Sequence, residues 1–524
     1  MPRTATLVCI LSVPQLFSLP ALSAPAPGKI PGETVLVRQS ANGSLAYAPY
    51  SAQGDIIPDF SHCGYKGGGV ALPDAPVRET LSPSADARTD DTERIQAAID
   101  SVSKLQLQKD GLRGAVLLKR GAYRCSDSLR LHTSGVVLRG EGDGENGTLI
   151  IATARKRIPL ITISGGEAGP AAIKNTAQNI TDAYVPVGAN IITVADASKF
   201  AVGQTIFVIR HGNAGWIKTI GMDRITPRAA NPAGTVQWAP FDLSFDRVIA
   251  AINGNRIVFD APIVCAIDRR WGGGAIARYD DSKRIENCGV ENLRADSVYN
   301  TGKTARHNVA GTYASDEDHA THLVRFGSVK NSWARNLTSL HFYHGLTSIG
   351  KDAKWITVQD CRSLEPVSII TGGRRYPFAM TGQLSLVQRC YSDKGRHAFA
   401  FGARVPGPNV FLNCRSERDY AASEPHHRWS TGGLYDNVEA RIAIQDRQHM
   451  GSGHGWAGAN YVVWNCKGAL VCQQPPTAQN FAIGFIGEKL KPAFPRPDGW
   501  WESYGKPVVP ASLYEAQLED RKTR

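Results

Sequence analysis

Beyond its first two dozen residues the chain has no run of the ~18 apolar residues that a membrane-spanning helix needs, so no membrane partner is expected. Stretches of Leu-, Ala- or Glu-rich helical composition are missing too. Gly (52) and Pro (30) are plentiful instead, which argues against a helical bundle and for many short strands joined by turns. Charge is scarce, at 20% of residues against 42% apolar, so a large core can form and wholesale disorder is excluded. Acidic residues fall short of basic ones: 47 Asp+Glu against 59 Lys+Arg leave +12, a surface that attracts polyanions. At 524 residues there is room for about three compact domains or one elongated one.

The N-terminus helps choose the polyanion. Arg3 precedes an apolar stretch, Leu7 to Leu19, and the small-residue run Ala21-Leu22-Ser23-Ala24 follows, the pattern of a signal peptide over residues 1–23. Pro14 and the short length argue against an anchor. A secreted protein is expected, which disfavours nucleic acid and leaves acidic polysaccharide as the partner. Asn42, Asn146, Asn179 and Asn336 lie in Asn-x-Ser/Thr sequons and would accept glycans in a eukaryotic host. Removing Cys9 leaves nine of ten cysteines, an odd number, so at least one thiol is unpaired in a monomer. Nothing in the sequence specifies an oligomeric state.

A short motif recurs through the C-terminal half: two or more mostly apolar residues, usually Asn or Asp, then Cys, Leu or Val. Its Asn, Asp or Arg falls at Asn292, Asn336, Asp360, Arg389, Asn413, Asn437 and Asn465, at spacings of 44, 24, 29, 24, 24 and 28 residues, with 44 equal to two coils of 22. Short strands with a period of roughly 22–29 residues fit a parallel β-helix, each coil stacking ~4.8 Å on the last. The Leu-x-x-Leu-x-Leu frame of leucine-rich repeats is absent. Cys361, Cys390, Cys414 and Cys466 recur at equivalent places and are expected to form an inward ladder of small apolar side chains. The Asn positions read as a ladder of turns. Second strands are predicted at His344–Gly350, Val367–Gly373, His397–Ala403, His427–Gly433 and Arg441–Arg447.

Asp90 and Glu93 form a capping-box pattern ahead of Ile95, Ala98, Ile99, Val102 and Leu105, predicting one amphipathic helix. Strands follow at Ala115–Leu118, Gly121–Arg124, Leu129–Leu131 and Gly135–Gly140. These segments, "DDTERIQAAID", "GAVLLKRGAYRCSDSLRL" and "SGVVLRGEG", resemble the N-terminal coils of the pectate-lyase-like right-handed parallel β-helix superfamily. The resemblance spans roughly residues 50–475 and implies an all-β fold. It leaves function open, because the superfamily holds lyases, glycoside hydrolases, epimerases and phage tailspikes. Residues 177–268 break the coil pattern and read as an inserted antiparallel β module. The expected organisation is therefore a signal peptide (1–23), an extended segment (24–85), a capping helix with first coils (86–176), the module (177–268), the main coils (269–475) and a Pro-rich wrapping tail (476–524).

Ten of the thirteen histidines crowd between residues 307 and 454. Counting along the coils stacks His341 and His344, Glu365, Lys394, Arg396 and His397, then Arg418 and Asp419, with Glu424, His426, His427 and Arg428 after a longer loop. Arg374, Arg375, Arg404 and Arg447 follow the second strands. Columns of this kind span ~20–25 Å, the length of an oligosaccharide cleft. Elimination on a uronic acid needs its carboxylate neutralised, the α-proton removed and the leaving oxygen protonated, work that Arg, His, Lys and Tyr can do. The leading expectation is thus a polysaccharide lyase, with His427 in proton transfer, Arg428 or Arg396 clamping the carboxylate, and His397 or Lys394 as second acid/base. His427 is expected to project over the cleft as the neighbour of His397. Substrate contacts are expected from His344, Arg374, Arg375, Arg404, Arg447, His449 and His454, with Trp429 and Trp456 stacking on sugar rings. A glycoside hydrolase would instead use a carboxylate pair, drawn from Glu365, Asp393, Asp419, Glu424, Asp436 and Asp446. Ser452-Gly453-His454-Gly455 resembles the Gly-His-Gly of polygalacturonases, whose companion motifs are missing. A non-catalytic glycan-binding β-helix is the third reading. The sequence specifies no definite cofactor, and Asp316-Glu317-Asp318-His319 is a candidate calcium site.

Overall fold

The structure, a computed structural model, describes residue 32 and residues 34–524. The signal peptide expected at 1–23 and the start of the 24–85 segment lie outside the described residues. The chain from Gly32 to Arg524 forms one compact unit.

Its body is a right-handed parallel β-helix. One large parallel sheet runs from Val77–Leu81 to Trp500–Glu502, and most coils give it two strands in succession. Lys354–Gln359 and Arg362–Leu364 are one such pair, and Ser385–Gln388 and Tyr391–Asp393 lie beside them on the next coil. A second parallel sheet stacks Leu129–Leu131, Ile161–Ile163, His322–Phe326, Gly345–Ile349, Phe378–Met380, Phe399–Ala403 and Pro425–His427 in chain order. The core between these sheets is almost wholly aliphatic, aromatic and thiol.

The repeat marks the bend between paired strands. Asn292, Asn336, Asp360, Arg389, Asn413, Asn437 and Asn465 all take left-handed backbone, with φ between +49° and +57°. Among residues with a Cβ, Asn and Asp occupy that region at least cost. Side chains then bond from coil to coil: Asn336 Nδ2 donates to Asn292 Oδ1 at 2.8 Å, and Arg389 pairs with Asp360 at 2.7 Å. The next residue turns inward, which puts Cys361, Cys390, Cys414 and Cys466 in the core. All nine cysteines among the described residues are buried free thiols.

The antiparallel module is present, with strands from Ala171–Ala172 to Gly274–Asp280, wider at both ends than 177–268. Thr205–Arg210 alternates half-buried and buried residues, as its sequence pattern predicts. The module's core takes in Trp429, Trp456 and Ala459 from the late coils, so it sits against them.

Four expectations are corrected. The helix is Thr92–Ser103 and its N-terminus carries no capping box: Asp90 accepts from Thr92 N at 3.0 Å, and Asp91 pairs with Arg94 at 2.5 Å while accepting Arg124 N at 3.1 Å, tying the helix to the first coil. Val367–Gly373 is a loop, because the chain leaves the coil there and rejoins the second sheet only at Phe378–Met380. Arg441–Arg447 is displaced as well: Glu439–Ile444 extends the large sheet by pairing with Lys467–Cys472. The tail does more than wrap. Phe481–Ile483, Ile486–Lys489 and Trp500–Glu502 add further coil strands, and the helix Leu513–Thr523 then packs with the segment around Phe60 and Cys63 over the sheet's outer apolar face. Tyr514 Oη donates to Cys63 O and Gln517 Oε1 accepts Phe60 N, both at 2.8 Å.

Candidate functional site

The second sheet carries a column of imidazoles along its coils. His322 and His344 stack with ring centroids 4.6 Å apart. Tyr376 follows at 6.0 Å, then His397 at 5.0 Å and His426 at 5.3 Å from Tyr376. His454 lies 4.9 Å from His426 and 4.8 Å from His427. Adjacent coils of a parallel sheet repeat at the strand spacing, so residues entering equivalent strands pile up this way.

Tyr376, His426, His427, His454, Arg228, Arg396, Arg447 and Met450, with the loop Thr371–Gly373, line a cavity of about 550 Å³. At its centre three groups form a relay. Tyr376 Oη lies 3.1 Å from His426 Nε2, and His426 Nδ1 lies 2.8 Å from Glu424 Oε1. Arg396 Nη1 approaches the same Tyr376 oxygen at 3.3 Å. Behind them Glu424, 2% exposed, accepts Arg447 Nη1 at 2.5 Å and stands 3.1 Å from His397 Nδ1.

Burial, with neighbouring cations adding to it, keeps these imidazoles neutral. It pulls His427 down to about 4, helped by Arg428, Arg447 and Arg404, and His454 to about 2, helped by His426 and Arg447. His344 falls to about 4, and His397 to about 3 in spite of Glu424. His426 is pushed well below the ordinary value, again first by burial. Tyr376 moves the other way, raised by desolvation against the pull of Arg396. His427 Nδ1 and His454 Nδ1 have no hydrogen-bond partner among the described residues. The site therefore offers neutral proton acceptors, a protonated phenol wired to an imidazole and a carboxylate, and three arginines.

Of the residues expected from the sequence, His427, His454, Arg396 and Arg447 meet in this cavity. His397 stands directly behind it, and His344 one ring further along. The others are elsewhere. Lys394 sits at a left-handed corner paired with Glu365 at 2.9 Å. Arg428 donates to Ser452 O and Oγ and braces the 448–456 loop. Arg374 is held by Glu317, and Arg375 is buried on Ser368 O. Arg404 lies over the Phe241 ring of the module, and His449 packs on Phe494. Trp429 and Trp456 are 1% and 3% exposed inside the module's core, so neither can stack on a sugar in the histidine cavity.

The expected neighbour of His397 is also corrected. The strands pair Phe401 with Pro425 and Ala403 with His427, so His426, not His427, meets the His397 ring, at 4.7 Å. The segment 424–429 is largely packed rather than projecting, and within it His426 pairs with Glu424. Tyr376 and Arg228 were not foreseen. Tyr376 lies in an excursion outside the repeat, and Arg228 arrives from the inserted module.

Two cation sites can be judged on their donors. His397, Glu424 and His426 bring ligand atoms within 4.8 Å of one another. Arg447 Nη1 already lies between Glu424 Oε1 and His426 Nδ1, at 2.5 and 2.8 Å, and supplies the positive charge there. The carboxylates of the acidic run are engaged by cationic side chains: Asp316 pairs with Arg155 and Lys303, Glu317 with Arg374 and Arg157, and Asp318 with Lys303. His319 is buried against Ser297 Oγ and Val367 O.

No protein-family model and no curated protein matches the chain. Among solved structures it is similar to ORF18 of Geobacillus virus E2, at 12% identity over 82% of this chain and 59% of that one, TM-score 0.39. It is also similar to the tailspike of E. coli bacteriophage HK620 in complex with a pentasaccharide, at 11% identity over 87% and 61%, TM-score 0.38. A third is the A-module of the Azotobacter vinelandii mannuronan C-5 epimerase AlgE6, at 11% identity over 81% and 97%, TM-score 0.32. The chain spans about three fifths of the length of the first two.

Proposed function

We propose that the protein acts on a polysaccharide, and that it is a lyase cleaving a uronate-containing polymer by β-elimination. The observation that carries this reading is the cavity in which Arg228, Arg396 and Arg447 stand with neutral His427 and with Tyr376 wired to His426 and Glu424. An arginine neutralises the uronate carboxylate, which acidifies the α-proton. His427, kept neutral by burial at the cavity wall, accepts that proton. Tyr376 delivers its proton to the departing glycosidic oxygen, and the phenolate left behind is stabilised by Arg396 and reprotonated through His426. Among the described residues no carboxylate lines the cavity, and Glu424 behind it is committed to Arg447, which disfavours a carboxylate-pair hydrolase at this place.

A hydrolase reading is favoured by one other observation. Asp419 is pushed up to about 8, mainly by burial, and its Oδ1 has no partner, as a general acid requires. Its neighbour Asp393, however, is locked onto Arg418 at 2.6 Å. Digestion of a panel of acidic glycans separates the two. Elimination raises absorbance near ~235 nm through the unsaturated uronate. New reducing ends without that absorbance would point to Asp419 and hydrolysis, and polymer binding without shortening to a non-catalytic β-helix.

A further inference from the structure

A second cavity, of about 410 Å³, opens where the N-terminal segment, the inserted module, the late coils and the segment after Gln473 meet. Tyr50, Tyr184, Arg210, Trp271, Trp429 and Gln474 are among its walls. Arg210 is 3% exposed, and its Nε and Nη1 are buried without a hydrogen-bond partner. One face of its guanidinium lies on Trp216, 3.8 Å from the ring centroid. That contact satisfies the π-face of the cation but none of its N–H groups.

Two carboxylates, Asp55 and Asp268, share the cavity wall, but neither hydrogen-bonds the Arg210 guanidinium among the described residues. Asp268 chelates Arg270 through both oxygens, and Asp242 pairs with His211 at 3.0 Å. Asp55 accepts Tyr184 Oη at 2.9 Å and Val187 N at 2.8 Å. Trp429 Nε1, also buried, is a second donor without a partner. Arginine does not shed its proton to escape burial, and a buried cation without a counter-charge is costly. A site that keeps one at the wall of a cavity is completed by an anion.

We propose that this cavity is a second glycan subsite, in which Arg210 binds the carboxylate of a single uronate residue. Tyr50, Tyr184 and Trp271 supply aromatic lining, and the volume lies within the range of small-ligand pockets. The sugar class rests on the polysaccharide reading above, but the subsite does not depend on the chemistry of the histidine cavity. Trp429 joins the two places: it meets Trp216 edge-on at 5.0 Å and follows His427 by two residues.

The test is a titration of the full protein, read by tryptophan fluorescence, with D-galacturonate, D-glucuronate, D-glucose and inorganic phosphate. The expected result is saturable binding of a uronate, with glucose and phosphate weaker by about tenfold or more. Arg210→Gln should weaken uronate binding by about tenfold or more, while Lys394→Ala, whose residue lies outside both cavities, leaves it unchanged. If Arg210→Gln does not fold, Trp271→Ala at the cavity wall should weaken binding in its place. Uronate binding no tighter than glucose, phosphate binding as tight as uronate, or unchanged affinity in the folded variants would each overturn the subsite. Uronate capture at Arg210 by a protein that cleaves no glycan would support the subsite and sink the lyase.

Discussion

The corner column His341–Glu365–Lys394–Arg418 and the imidazole column His344–His397–His426–His454 climb the same coils, yet they are held in opposite ways. In the first, all four residues take left-handed backbone, and their charges are absorbed by one another or by a neighbour: Lys394 by Glu365, Arg418 by Asp393, His341 by Asp296 at 2.7 Å. In the second, burial removes the charge, and His344 Nδ1, His397 Nε2 and His454 Nδ1 are left without partners. Stacking alone therefore does not make a site. A column whose members satisfy each other is part of the scaffold, and one with spare hydrogen-bonding capacity beside a cavity is where chemistry can occur.

The largest expected effect comes from breaking the buried Arg447–Glu424 ion pair behind the second column. Arg447→Ala leaves Glu424 buried without its cation, and a stability loss of about 3–5 kcal/mol at neutral pH is expected by denaturant unfolding. A loss below ~1 kcal/mol would mean that Arg447 is ornamental to the fold.

Acidification should come next. The folded values of His344, His397, His427 and His454, from about 4 to about 2, lie below the ~6.5 of an unfolded chain. Between these values the unfolded state binds protons that the folded state refuses, so stability falls as pH drops from ~6.5 towards ~4. Asp419 and Asp436, raised to about 8 and about 7, are protonated when folded and oppose this trend. His426, His322 and His319 are lowered as well, so the imidazoles outnumber the two carboxyls and unfolding near pH ~5 takes up protons overall. A melting temperature that falls across this window is expected, with a shallower fall in His454→Gln. A flat profile would contradict the neutral column.

The smallest effect is reserved for the first column. Lys394→Ala removes a half-exposed pair and should cost less than ~1 kcal/mol.

The turn ladder between the paired strands of the large sheet was legible in the sequence because left-handed corners select Asn and Asp and the following residue must be small and apolar, so both leave a periodic trace at Asn413-Cys414 and Asn465-Cys466. The second column was legible only as a crowd of histidines. Its pairing slipped because the predicted strand begins at His427, whereas the strand Pro425–His427 ends there: Ala403 pairs with His427, and the His426 ring, one residue earlier, meets His397. Trp429 and Trp456 looked like sugar platforms until the module's core closed over them, a contact between residues some two hundred positions apart that no local pattern records. Tyr376 has no repeat to betray it. Its place beside His426 comes from a loop that leaves the coil after Glu365 and returns at Phe378.

The central claim is that glycan cleavage occurs at the imidazole cavity and not along the corner column. Its most direct test is the initial rate of absorbance gain near ~235 nm on a polyuronate for the wild type, His427→Ala and Lys394→Ala, each checked for fold by circular dichroism. The account predicts a loss of ~10²-fold or more in His427→Ala and an unchanged rate in Lys394→Ala. A folded His427→Ala at full rate, or a collapse in Lys394→Ala alone, would contradict it.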